Sequence, residues 1–379
     1  MSIGNKTLHY LERKNKGFYR KIKFRLKNKL GWLGVPKLIP YRGFGSAEKV
    51  FITGYLTEDK GLEKPEASNS NWENILAMIK RYSSEEIPHA FIQVILGEQQ
   101  QQVKTEETGL FKANFPGSFI PKKESEWINY RVRLQADLEK DESDLTVEGE
   151  VLIPGTDTDF GVISDVDDTI IVSHATKTLR KLRLMLLHNS RTRKPFPGVD
   201  AFYQALHQGF EGGQSNPFFY VSSSEWNLYD LIEDFCNYNK LPKGVFLLRE
   251  LKSNILKFWK SGDGDHQHKF RKIKMLFETY PNMSFVLIGD NGQRDPEIYS
   301  RIAYEYPDRI KAIYIRTVGK RWKKKKIEGM KQELQKINVQ IIFTRDTIQA
   351  AYDAVEKKLI SPTSINDIRS DAEKDASLL

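Results

Sequence analysis

The chain has 379 residues, 39% hydrophobic and 29% charged, which leaves room for two domains with a core each and excludes collagen-like, coiled-coil and wholly disordered classes. No run approaches the roughly eighteen apolar residues of a spanning helix, and the lysine-rich start lacks the apolar core and cleavage site of a secretory signal, so a cytoplasmic protein is expected. The formal net charge is +9, and residues 1–30, with ten Lys/Arg against Glu12 alone, carry as much by themselves, so the basic balance describes an arm and the remaining chain is neutral.

In that arm Phe18, Tyr19, Ile22, Phe24, Leu26, Leu30 and Trp32 are interleaved with the cations. It reads either as a solvated terminus or as a basic amphipathic helix for an anionic surface. Residues 1–35 are assigned to it, with a membrane surface as the expected partner and the inner membrane face as the expected peripheral location. Nucleic acid is not expected. From Tyr41 to Ile153 the apolar pattern has period two, as in Tyr130, Val132 and Leu134 against Arg131, Arg133 and Gln135. Strands are predicted at Lys49–Leu56, Ala90–Leu96, Gln100–Thr105, Leu110–Phe115, Tyr130–Gln135 and Thr146–Ile153, with a helix at Trp72–Ile79. The expectation is a small β-sandwich accessory domain over 36–157, carrying no chemistry of its own.

After Pro154-Gly155 the pattern changes to continuous apolar strands alternating with helices, the signature of a parallel sheet covered on both faces. Strands are predicted at Phe160–Ile163, Phe218–Val221, Gly244–Leu248, Ser284–Ile288, Lys311–Ile315 and Val339–Phe343. Helices are predicted at Val199–His207, Glu225–Tyr238, Lys269–Tyr280 and Thr347–Lys358. The α/β domain is placed at 158–360, followed by a polar tail, 361–379. The lone Cys236 falls in an apolar helical run and reads as a buried, inert thiol.

Open α/β sheets bind ligands beyond the carboxyl ends of their strands. After the first strand stand Asp165, Asp167 and Asp168, followed by Thr169. Three acids in four residues call for a hard divalent cation, Mg2+ being the expected one. After the second strand come Ser222, Ser223 and Ser224 at a helix start, suited to an anion. The strand at Ser284–Ile288 is followed by Gly289-Asp290-Asn291-Gly292-Gln293-Arg294-Asp295, and Lys269 opens the helix before it and offers a point charge to a phosphate oxygen. Together these form a phosphoryl-transfer constellation. Arg249, after the third strand, is a further candidate phosphate contact. Asp263–His268 departs from a calcium loop, with His268 and Lys274 where Gly and Glu are needed. His174 reads as a solvated or capping residue and Asp168 as a surface or helix-start acid. The Thr178–Asn189 helix, with leucines on one face and cations elsewhere, reads either as a cap over the site or as packing on the sheet.

The set Asp-x-Asp-x-Thr, Ser, Lys and Gly-Asp-x4-Asp resembles the haloacid dehalogenase superfamily. The fuller runs Phe160–Thr169, Tyr220–Trp226 and Leu287–Tyr299 look like the actin-patch phosphatidate phosphatase family over roughly residues 158–350. The preceding Tyr41-Arg42-Gly43-Phe44-Gly45 is similar to the region before that family's bacterial catalytic domains. The resemblance implies a haloacid dehalogenase-like Rossmannoid sheet and Mg2+-dependent phosphatidate hydrolysis. In it Asp165 is the nucleophile, Asp167 the general acid/base and Thr169 its brace. Asp165, the backbone carbonyl of Asp167 and Asp290 hold the metal, Ser222 and Lys269 bind the phosphoryl oxygens, and Asp295 supports. Ser223 and Arg249 are secondary substrate contacts. Two alternatives stay open: a phosphatase of a soluble phosphomonoester or nucleic-acid end phosphate, and a non-catalytic membrane-surface adaptor.

Overall fold

The computed structural model describes residues 35–59, 86–117, 122–135, 145–166, 197–213, 215–250, 267–318 and 324–376. Residues 1–34 of the basic arm, the helix read at Trp72–Ile79, the helix read at Thr178–Asn189 and the loop residues 263–266 lie outside them.

The first half is β throughout its described residues: β1 (Pro36–Pro40), β2 (Gly43–Gly45), β3 (Lys49–Glu58), β4 (Phe91–Leu96), β5 (Gln99–Lys104), β6 (Leu110–Pro116), β7 (Glu126–Gln135) and β8 (Thr146–Ile153). The period-two reading holds. In β7, Tyr130, Val132 and Leu134 are buried while Asn129, Arg131 and Arg133 are exposed. All eight strands join one hydrogen-bonded mixed sheet, in the order β1-β3-β2-β8-β7-β4-β5 with β6 on β3. Two short strands, β1 and β2, are absent from the sequence reading, and β2 makes the connection between β3 and β8. β1 and β2 both lie antiparallel to β3, and β2 also runs parallel to β8. Glycine is needed there, since a Cβ on Gly43 would meet the Phe51 carbonyl oxygen at 2.6 Å. One face of the sheet encloses Val50, Ile52, Val94, Phe111, Val132 and Val151.

The second half is a six-stranded parallel sheet: β9 (Gly161–Asp165), β10 (Phe218–Glu225), β11 (Gly244–Arg249), β12 (Phe285–Asp290), β13 (Ile310–Arg316) and β14 (Ile341–Thr344), in the order β11-β10-β9-β12-β13-β14. β9 to β12 are buried along their whole length, as continuous apolar strands must be when both faces are covered. Alternate side chains enter separate cores. Val162, Phe218, Tyr220, Phe246 and Val286 meet α1 (Val199–Gln208), α2 (Tyr229–Tyr238), α6 (Thr347–Glu356) and α7 (Ser364–Ala376). Ile163, Phe219, Val221, Leu247 and Leu287 meet α3 (Gln267–Thr279), α4 (Asp295–Glu305) and α5 (Lys324–Gln335). This is the α/β layer arrangement expected. Among the described residues no helix is long and apolar enough to cross a membrane.

Two expectations are corrected. The segment read as a polar tail folds over Ser364–Ala376 as α7, which buries Ile368, half-buries Ile365 and accepts the Gly198 N–H on Asp375. The helix expected from Glu225 begins at Tyr229. β10 runs on to Glu225, and a 3-10 turn, Trp226–Leu228, intervenes.

The two sheets share cores. Tyr41 and Leu110 contribute to one face of the parallel sheet, Phe44 and Leu152 to the other. Tyr41 stacks on Trp226 at 4.5 Å between ring centres and donates its hydroxyl to the Trp226 carbonyl. Next to it, the Arg42 amide donates to the Tyr229 hydroxyl and its guanidinium pairs with Glu233 at 2.9 Å.

Candidate active site

The connections β9 to β10 to β11 run one way across the parallel sheet and β12 to β13 to β14 the other, so the strand order reverses between β9 and β12. That switch point is where an α/β sheet opens a crevice at its carboxyl edge. Asp165 ends β9 and Asp290 ends β12, one on each side of it.

Lys269, on the first turn of α3, reaches into the crevice and is only 1% exposed. Its ammonium donates to Asp165 Oδ1 at 2.7 Å, to Asp295 Oδ1 at 3.0 Å and to Gln293 Oε1 at 3.2 Å. Asp295 opens α4, where a carboxylate suits the helix N-terminus, and its Oδ2 accepts the Asp290 amide at 3.3 Å. Both its oxygens are thus engaged in holding other site residues. Asp290 Oδ1 accepts the amides of Gly292 and Gln293, folding the chain back from the strand end. Gly289 admits this fold, since a Cβ there would meet Asp295 Oδ2 at 2.8 Å. Carboxylate oxygens of Asp165, Asp290 and Asp295 lie within 4.8 Å of one another, and all three residues are buried.

Three carboxylates and one ammonium carry a formal charge of −2, and the acids offer only oxygen donors. Hard divalent cations bind oxygen ligands, so charge and donor set both fit such an ion. A soft-metal site would need thiolate or imidazole, and none joins this cluster among the described residues.

Ser222, Ser223 and Ser224 are buried in β10 beside β9. The Ser224 amide donates to Ser222 Oγ at 2.9 Å, and His268 Nε2 donates to the Ser222 carbonyl at 3.3 Å. Arg249, expected to meet phosphate, pairs at 3.0 Å with Glu225, both side chains being buried. The structure therefore brings Asp165, Lys269, Asp290 and Asp295 together, with the serine segment on the adjoining strand. Asp167, Asp168, Thr169 and His174 lie outside the described residues.

The sequence reading missed Gln293, Glu225 and Arg316. Arg316 ends β13 in register with Asp290. Burial lowers its pKa to about 9, against the pull of Asp290 and Tyr203. It lines a small cavity of about 40 Å³ with Tyr203, Ile288 and Thr344. Its place at the end of the fifth parallel strand, the same position that marks Asp165 and Asp290, is the sequence signal for it. Cys236 is buried and its thiol pKa is raised by desolvation, as expected of an inert thiol.

An acidic, lysine-bridged cluster at the switch point of a doubly wound parallel sheet defines an α/β protein with an oxygen-donor site suited to a metal ion. The family resemblance carried by its motifs is borne out over residues 160–317, which match the family model described as phosphatidate phosphatase APP1, catalytic domain. Phosphatidate phosphatase APP1 of Saccharomyces cerevisiae is 30% identical over 158 residues, 41% of this chain and 26% of the yeast protein. An uncharacterized protein of Schizosaccharomyces pombe is 25% identical over 163 residues, 42% of this chain and 25% of its own length. The matched segments thus span about a quarter of these curated relatives. Among solved structures, a carbohydrate acetylesterase from Xanthomonas citri aligns with a TM-score of 0.25 at 11% identity, covering 75% of this chain and 69% of that one, too low a score to carry any argument.

Proposed function

We propose that this chain is a Mg2+-dependent phosphatidate phosphatase that releases phosphate and diacylglycerol through an aspartyl-phosphate on Asp165. The observation that carries the reading is the gathering of Asp165, Asp290, Asp295 and Lys269 at the switch point, inside the segment that matches the phosphatase catalytic-domain model. Residues 158–360, with α7 docked on them, are read as a haloacid dehalogenase-like domain and residues 36–157 as an accessory β domain. The protein is read as cytoplasmic, peripheral on the inner membrane face through the basic arm.

Asp165 Oδ attacks phosphorus while the bond to the diacylglycerol oxygen breaks, and Asp167 gives that oxygen its proton. Asp167 then takes a proton from water, whose oxygen attacks phosphorus, releasing inorganic phosphate and restoring the Asp165 carboxylate. Lys269, held by Asp295 and Gln293, stabilises the charge on the phosphoryl oxygens together with the Ser222 hydroxyl. Thr169 keeps Asp167 aimed, and Ser223 lines the anion site. Asp165, the Asp167 carbonyl and Asp290 would hold Mg2+, which when bound supplies charge neutralisation and Lewis acidity.

The test is phosphate release from phosphatidate vesicles and from a soluble aryl phosphate, side by side. Both activities are expected to vanish with chelator, return with Mg2+ and be absent in Asp165→Asn. Deleting residues 1–30 should lower only the vesicle activity, since each interfacial cation contributes roughly 1 kcal/mol before screening. Full turnover after exhaustive chelation would overturn the metal reading. Turnover of the soluble ester alone by the intact protein would move the substrate to a soluble phosphomonoester.

A further inference from the structure

β10 and β11 are in register at Val221 and Leu247 and again at Glu225 and Arg249, so β10 advances four residues while β11 advances two. The excess is taken up by Ser222, Ser223 and Ser224. Such a bulge breaks the ladder and re-aims side chains, here at the strand end that faces the Asp165 crevice. Its near end is fixed where the Ser224 amide meets Ser222 Oγ and His268 meets the Ser222 carbonyl.

The far end is fixed by the Glu225 and Arg249 pair, with side chains 5% and 8% exposed. A buried ion pair adds little net stability, because desolvation offsets attraction, but it tolerates few geometries, and losing one partner strands a buried charge. The neighbouring residues hold the same corner. Trp226 stacks on Tyr41, and Glu250 accepts the Lys112 ammonium of β6 at 2.7 Å. Strand pairing resumes at the same two residues that form the ion pair, so the pair closes the far end of the serine bulge.

We propose that Glu225 and Arg249 are positioning residues for the anion held at Ser222, acting through the shape of the bulge without touching the phosphoryl group. The proposal rests on the phosphatase reading of the site. The rival is direct contact by Arg249, whose buried Nε has no acceptor among the described residues. The two differ in what Glu225 does. If Arg249 binds the anion itself, neutralising Glu225 frees it for that task. If the pair shapes the bulge, losing either partner does the same damage.

The test is titration of full-length protein with inorganic phosphate in Mg2+ by calorimetry, alongside KM and kcat on p-nitrophenyl phosphate. Glu225→Gln and Arg249→Met should each weaken phosphate binding and raise KM on the order of tenfold, the scale expected when a binding group is misplaced by a fraction of an ångström. The double variant should be no worse than either single one. Glu225→Asp and Arg249→Lys should recover part of the loss and report on the site if the larger changes prevent folding. Phosphate binding unchanged or tighter in Glu225→Gln but lost in Arg249→Met would overturn the proposal in favour of direct contact. A lowered melting temperature with unchanged KM and phosphate affinity would make the pair merely structural. Wild type that binds phosphate but hydrolyses no ester would sink the phosphatase reading and leave the bulge still testable by titration.

Discussion

Lys269 faces two buried carboxylates, and removing it leaves Asp165 and Asp295 without the ammonium they share. Breaking one side of a buried ion pair typically costs about 3–5 kcal/mol, so Lys269→Met is expected to lose stability on that scale in urea denaturation. Added Mg2+ should stabilise Lys269→Met more than wild type, because the variant cluster has one more unbalanced negative charge. A loss well under 1 kcal/mol would mean that water screens these acids. Asp165, Ser222, Lys269 and Asp290 were legible because each stands at or near the carboxyl end of a strand or the start of a helix. Glu225 was not. Its partner Arg249 is 24 residues away, and only parallel pairing of β10 with β11 brings them opposite.

α7 shows what a helix can add when its sequence reads as polar. Few apolar residues mark it, and it docks through Ile365 and Ile368 onto a core built by strands far earlier in the chain. Its polar face is also organised. Burial and a hydrogen bond with Asp200 raise the Asp371 pKa from 3.8 to about 7. A raised carboxyl pKa means the folded state binds more protons than the unfolded one between those values, so stability falls as pH rises from about 4 to 7 and is flat above. Asp371→Asn removes the titrating charge, so its stability relative to wild type should be greatest near pH 8 and should shrink toward pH 5. A difference independent of pH, measured by thermal denaturation, would rule out this coupling. Unbroken apolar runs made the parallel strands legible. The step at β10 was hidden because Ser-Ser-Ser-Glu-Trp scans equally well as the start of a helix.

At the scale of the whole molecule, Tyr41, Tyr55, Leu110, Phe44 and Leu152 of the first half lie within the cores of the second. Arg42 adds a cation over the rings of Trp127 and Phe246, and Lys243 pairs with Glu150 across the same boundary. Shared cores couple the unfolding of their contributors, so one calorimetric transition is expected for the described body. Tyr41→Ala should lower its midpoint without splitting it. Two resolved transitions in the wild type would show that the halves fold independently.

Local pattern alone determined that one half is alternating β, that the other is a buried parallel sheet with helices, and that acids, serines and a lysine stand at its strand ends. Those are properties of neighbouring residues, set by side-chain period and by the chemistry of short motifs. Tertiary structure alone decided that the first half forms one sheet joined through β2, that the terminal segment is a docked helix, and that Arg249 answers to Glu225. It also decided that Lys269 bridges Asp165 and Asp295. Each of these depends on pairings between residues far apart in sequence, whose energies exist only once the chain has closed around them.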